Sequence, residues 1–74
     1  MTDQQSPRKR SISIKGHRTS LSLEPIFWDL LKQEAPARNL SMAQLVAEID
    51  MARTTNLSSA VRVYLAQKLK ERDT

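Results

Sequence analysis

Ser11, Ser13, Lys15, Arg18, Ser20 and Ser22 alternate with Ile12, Ile14, Leu21 and Leu23 on either side of a Gly16-His17 pair. A period of two predicts strands with one buried face and one wet face. The wet face would carry only hydroxyls and cations, because no carboxylate occurs between Asp3 and Glu24. Such a face has the chemistry needed to enter a DNA major groove, and an ordinary solvated hairpin can look the same. The chain offers little competing chemistry. It has no cysteine and one histidine, His17, so a zinc site or a thiol nucleophile lacks its partners. The serines have no paired base beside them. Glu34, Glu48 and Asp50 lack metal-ligand spacing and read as surface charges. No enzyme activity and no cofactor are expected.

The elements that must position this face can be read in outline. Strands are predicted over residues 11–15 and 18–23, joined by Gly16-His17 as a type II′ turn, which wants glycine first. That turn sets Lys15 opposite Arg18, Ile14 opposite Thr19, Ser13 opposite Ser20 and Ile12 opposite Leu21. A first helix is predicted over 25–38, with Pro25 at the position where a missing N–H is harmless. Its stripe is Phe27, Leu30, Leu31 and Ala35, flanked by Trp28. Pro36 should end or kink it, and Asn39 suits a left-handed residue beyond the end. Ser41 to Gln44 fits a capping box for a second helix over 42–53, with stripe Met42, Leu45, Val46 and Ile49. After a break at Thr54-Thr55-Asn56, a third helix over 58–71 is capped by Asn56 or Ser58. Its stripe is Val61, Tyr64, Leu65 and Leu69. The predicted fold class is mainly α with a short antiparallel β ribbon.

Size and charge narrow the partners. A chain of 74 residues without disulfides buries too little surface to be comfortably stable alone, so a homodimer with a shared core is expected. Residues 1–10 are polar and are predicted to be a disordered basic arm, with the domain over 11–74. Residues 1–18 hold Arg8, Lys9, Arg10, Lys15 and Arg18 against Asp3, while residues 19–74 hold seven cations and seven acids. The whole net charge of +4 thus sits at one end. That asymmetry points to an anionic partner, nucleic acid ahead of a membrane surface. The bland reading is a solvated tail. No apolar run reaches membrane-spanning length, and the N-terminal cations precede no apolar signal region. A cytoplasmic protein is expected.

The segment T-S-L-S-L-E-P-I-F-W-D-L-L-K-Q-E-A-P-A-R-N-L-S-M-A-Q-L-V-A-E-I, Thr19 to Ile49, resembles the ribbon-helix-helix family of bacterial DNA-binding proteins. The segments G-H-R-T-S-L-S-L-E-P and N-L-S-S-A-V-R-V-Y-L resemble those of a subgroup of small members. The resemblance implies an intertwined homodimer in which one strand from each chain pairs to make a ribbon in the major groove. Carried over, Arg18, Ser20 and Ser22 would read bases. Ser41 with the N–H groups of Met42 and Ala43 would clamp a phosphate. Arg8, Lys9, Arg10 and Lys15 would add phosphate contacts that depend on salt. Thr19, Leu21 and Leu23 would face the core with Phe27, Leu31, Leu45 and Ile49.

The chain departs from the family pattern in its extra N-terminal strand and extra C-terminal helix. Four strands, two hairpins in a dimer, span about 14 Å at roughly 4.8 Å spacing, against a groove about 12 Å wide. Either the first strand peels away on binding, or the contact is shallower, or this ribbon does not read DNA at all. The expected role is a transcriptional regulator of double-stranded DNA, with dimers free to pair further on it. The alternative is a protein-interaction module or an antitoxin, with the third helix docking a protein partner. Its basic arm lacks the apolar anchors of a membrane-binding segment.

Overall fold

The computed structural model describes residues 5–72. Two antiparallel strands, β1 (Arg8–Ile14) and β2 (His17–Leu23), precede three helices, α1 (Pro25–Ala37), α2 (Met42–Ala52) and α3 (Leu57–Arg72). The predicted arm over residues 1–10 lies outside the described residues at 1–4, and its basic end is no arm: Arg8, Lys9 and Arg10 open β1. Their polarity does not prevent this, because cations on an exposed strand keep their charged ends in water while the backbone pairs.

The turn differs from the predicted one. Lys15 (φ 51°) and Gly16 (φ 82°) form it, both left-handed, as in a type I′ turn. Ile14 pairs with His17, Ser13 with Arg18, Ile12 with Thr19 and Ser11 with Ser20, and pairing continues to Arg8 with Leu23. Each β1 residue thus meets a partner two places earlier in β2 than predicted. A shift of two keeps every side chain on its face, whereas a shift of one would have inverted both strands. Lys15 also leaves the ladder, which removes the like-charge pair it would have made with Arg18.

The helices begin and end where local chemistry dictates. Pro25 stands in the first turn of α1, and Pro36 lies inside its last turn, one residue before the end. Asn39 (φ 59°) then reverses the chain, with the Leu40 N–H donating to the Ala35 carbonyl at 2.9 Å. Ser41 closes its capping box: its hydroxyl accepts from the Gln44 N–H at 3.1 Å, and the Ser41 N–H donates to Gln44 Oε1 at 2.8 Å. Asn56 caps α3, accepting from the Ser59 N–H at 2.9 Å.

The three helices cover one face of the hairpin. Leu21, Leu23, Leu31, Leu45, Val46 and Val61 are wholly buried, joined by Ile14, Trp28, Ala35, Ile49 and Leu65. Four expectations change. Trp28, predicted only to flank the stripe, is buried at 3 % exposure, while Phe27 packs against the core as predicted but stays half-buried. Thr19 too is only half-buried. Leu69 lies at the outer flank of α3 and is 41 % exposed. Glu34 is a buried carboxylate, held by Arg72 at 2.8 Å and by the Tyr64 hydroxyl at 3.3 Å. A buried charge is tolerated only when paired in this way.

The left-handed backbone at Lys15 is strained for a residue with a Cβ. Asparagine tolerates that region. A Lys15→Asn variant is expected to be more stable by about 1 kcal/mol, measured by chemical denaturation. Unchanged or lower stability would mean that the turn does not have this conformation.

Candidate nucleic-acid interface

The open face of the hairpin follows directly from the register. Burying Leu21 and Leu23 turns Arg18, Ser20 and Ser22 to the opposite side. Their neighbours across the ladder are Ser13, Ser11 and Lys9. The face is therefore a six-residue patch with Lys9 and Arg18 at diagonal ends and four serines between them. Lys9, Ser11, Ser13, Arg18 and Ser20 are exposed, and Ser22 is half-buried. Between Arg8 and Leu23 there are five cations and no carboxylate.

The other predicted phosphate contacts are spread around this face rather than placed on it. Strand alternation splits the Arg8-Lys9-Arg10 run. Lys9 joins the open face, while Arg8 and Arg10 lie opposite Leu23 and Leu21 on the helix side. The Arg10 guanidinium sits 4.8 Å over the Trp28 ring, a cation–π contact. The indole N–H of Trp28 donates to the Arg8 carbonyl at 3.1 Å. Lys15 stands in the turn with its ammonium 2.9 Å from the Met51 sulfur. At the start of α2 the Ser41 hydroxyl is occupied by Gln44, whereas the N–H groups of Met42 and Ala43 have no protein acceptor among the described residues. Ala43 and Gln44 line one shallow groove with Ser13 and Lys15, so the α2 N-terminus flanks the outer edge of β1.

Lys9 as a member of the open face is not legible in the sequence. The apolar alternation that marks a strand stops at Ile12, and a run of three cations shows no period. Arg62 gives no sequence signal either. Its guanidinium bonds to Glu24 Oε1 at 2.8 Å and to the Ser22 carbonyl at 3.1 Å. It ties α3 to the point where β2 becomes α1.

A family model described as a ribbon-helix-helix domain matches residues 7–69. The chain belongs to the ribbon-helix-helix family. Members are generally DNA-binding transcription regulators or antitoxins. Among solved structures, the chain is similar to an uncharacterized protein from Bordetella pertussis Tohama I. The two share 27 % identity with a TM-score of 0.71, over 95 % of this chain and 62 % of that one. This chain thus spans somewhat under two thirds of that protein's length. No curated protein matches the sequence. The matched residues take in β1 and most of α3 as well as β2, α1 and the capped α2. No helix among the described residues is long and apolar enough to cross a membrane.

The Arg62 hydrogen bond holds the Glu24 carboxyl below its ordinary value of 4.5. Glu24 therefore binds its proton more weakly in the folded than in the unfolded chain. Its contribution to stability is present above pH 4.5 and is lost as pH falls through the folded value. Wild type should be more stable than an Arg62→Ala variant at neutral pH. The gap should narrow as the pH drops below 4.5, measured by denaturant unfolding at a series of pH values. A gap independent of pH would show that Arg62 acts by packing alone.

Proposed function

We propose that this chain binds double-stranded DNA sequence-specifically and regulates transcription, using the open face of its ribbon as the reading surface. The observation that carries this reading is the carboxylate-free patch of Lys9, four serines and Arg18 on a two-stranded sheet. A two-stranded ribbon fits a major groove, arginine and lysine take guanine, and serine bonds to either kind of base pair. Arg18 and Ser20 are exposed on this face and are the base-reading residues on β2. Ser22 is the weakest of the three predicted readers, since it is half-buried and its backbone is engaged by α3. Lys15, Arg8 and Arg10 flank the patch and neutralise phosphate. The free N–H groups of Met42 and Ala43 hold a phosphate at one edge, as helix N-termini do.

Ribbon-helix-helix proteins usually bind DNA as dimers. A homodimer of this chain would present two symmetry-related copies of this face and read a two-fold-related site. The work of such a protein is in the bacterial cytoplasm, where the chromosome lies. A second reading is an antitoxin-like protein that docks a partner through α3. One observation favours it: Val63 is 53 % exposed at the wall of a groove shared with Ile49, Ala60 and Tyr64.

Titration against genomic fragments and bulk DNA at about 0.15 M salt separates the two readings. Some fragments should bind far more tightly than bulk DNA. An Arg18→Ala, Ser20→Ala variant should lose about 1–3 kcal/mol of discrimination for each paired contact removed. Lys9→Ala should weaken binding and make it less sensitive to salt. Weak, sequence-blind binding that the double variant leaves unchanged would refute DNA reading and favour the docking alternative.

A further inference from the structure

The outer edge of β2 is closed at one end and open at the other. The two-residue turn makes Ile14 and His17 a hydrogen-bonded pair, and bonding alternates along an antiparallel ladder. The peptide groups of Arg18, Ser20 and Ser22 therefore point away from β1. Those of Ser22 are taken by α3. Its N–H donates to Ser58 Oγ at 3.1 Å, and its carbonyl accepts from Arg62 at 3.1 Å. Arg62 is fixed in turn by Glu24 at 2.8 Å. The outward groups of Arg18 and Ser20 have no partner among the described residues.

A second copy of β2 fits this edge. Free peptide groups on two residues, one step of the pleat apart, are self-complementary about a two-fold axis, and proteins of this family usually bind DNA as dimers. Thr19 lies on the helix side with Leu21 and Leu23 but is only half-buried, so cover is still to be gained beside it. The opposite edge stays with β1, whose Ile14 is buried and whose Arg8 carbonyl accepts from the Trp28 indole. The possible registers are few. Centred on Ser20, the pairing sets Arg18 against Ser22 of the second copy. Centred on Leu21, it sets Ser20 against that Ser22. Both require the groups that α3 holds, and taking them would also disturb the Arg62–Glu24 ion pair. Centred on Arg18, it sets two arginines directly opposite, a repulsive pair, and leaves Ser20 facing the turn at Gly16. Centred on Thr19, it sets Arg18 of each copy against Ser20 of the other. Every free group then pairs, the arginines face serines, and Ser22 keeps its contacts with α3.

We propose that two copies pair through β2 in the register centred on Thr19, and that α3 sets this register by holding Ser22. Arg18 and Ser20 of both copies then form one compact patch across the two-fold axis. Its use in reading bases rests on the function proposed above. In this sheet the β1 strands lie outermost, each about 7 Å from the axis at a spacing of about 4.8 Å. Half the width of a major groove is about 6 Å. Arg18 and Ser20 therefore face the bases, while Lys9, Ser11 and Ser13 meet the groove walls, where the phosphates run.

The chain has no cysteine, so a single introduced thiol reports the register. Thr19→Cys, Ser20→Cys and Arg18→Cys are oxidised under mild conditions without DNA, and the covalent dimer is measured on a denaturing gel. Paired across the axis, the two Thr19 positions stand about 4.5 Å apart, within disulfide range. Two copies of Ser20 or of Arg18 lie diagonally, roughly 8 Å apart, beyond the about 7 Å that a disulfide spans. Thr19→Cys should therefore cross-link, while Ser20→Cys and Arg18→Cys should each stay uncoupled alone and couple when mixed. Self-coupling of Ser20→Cys at least as strong as that of Thr19→Cys would overturn the register. So would the absence of any coupling, or a monomer by sedimentation. Adding Ser58→Ala to Ser20→Cys frees the Ser22 N–H and should raise self-coupling several-fold, and no change would refute the role of α3. None of these measurements uses DNA. Failure here leaves the DNA-binding reading to its own titration, and sequence-blind DNA binding by a dimer with this register would refute that reading alone.

Discussion

Leu21 and Leu23 are both wholly buried beneath the helices, and a strand cannot bury two residues at i and i+2 without turning their neighbours to the other side. Ser20 and Ser22 face away from the core for that reason, and Arg18 follows in the same period. Burying a leucine fully contributes about 1.5–3 kcal/mol, far more than an exposed serine or arginine can oppose. The chemistry of the open face is therefore set by packing on the closed one. The same constraint reaches β1 across the ladder, where Lys9, Ser11 and Ser13 share the face of their β2 partners.

The second organising feature is the seating of α3. Its apolar contribution is the buried Val61 and Leu65, with Leu57, Ala60 and Tyr64 packed half-buried against the core. The rest of its attachment is polar and specific. Ser58 and Arg62 fasten its first half to the β2–α1 junction, and Tyr64 and Arg72 converge on the buried Glu34 of α1. Arg38 adds hydrogen bonds to Tyr64 and to Glu48 of α2, at 3.0 and 2.9 Å. Exposed ion pairs such as Arg38–Glu48 contribute little. Glu34 is different, because a carboxylate at 6 % exposure that lost Arg72 and Tyr64 would be left charged in an apolar setting. The network thus acts on register more than on strength: it accepts α3 in one position along α1 and penalises others.

How much of this is legible in the sequence depends on which property carries it. The faces of both strands are legible, because burial obeys a period of two whatever the register. The register is not, since types I′ and II′ both suit a Gly-containing pair, and only the backbone at Lys15 and Gly16 distinguishes them. The start of β1 is hidden because Arg8, Lys9 and Arg10 carry no apolar period. The caps at Ser41 and Asn56 and the reversal at Asn39 are legible, being local hydrogen-bond or steric effects. Trp28 against Phe27 is not, for both lie near the edge of the α1 stripe and tertiary packing chooses between them. Glu34 looks like a surface charge because its partners, Tyr64 and Arg72, are 30 and 38 residues away.

Trp28 is the only tryptophan in the chain. Its ring is buried under the Arg10 guanidinium, and its indole N–H is fixed to the carbonyl of the first β1 residue. The emission of this one fluorophore therefore reports a single mechanical event, the docking of the β1 end onto α1. Fraying of that end would wet the indole and take the cation from its face, so the spectrum would shift to the red while the helices stayed formed. A ligand that drew Arg10 away without freeing the strand would change the intensity and leave the indole hydrogen bond in place. The molecule carries an internal gauge at the end of its own ribbon, read by light rather than by binding.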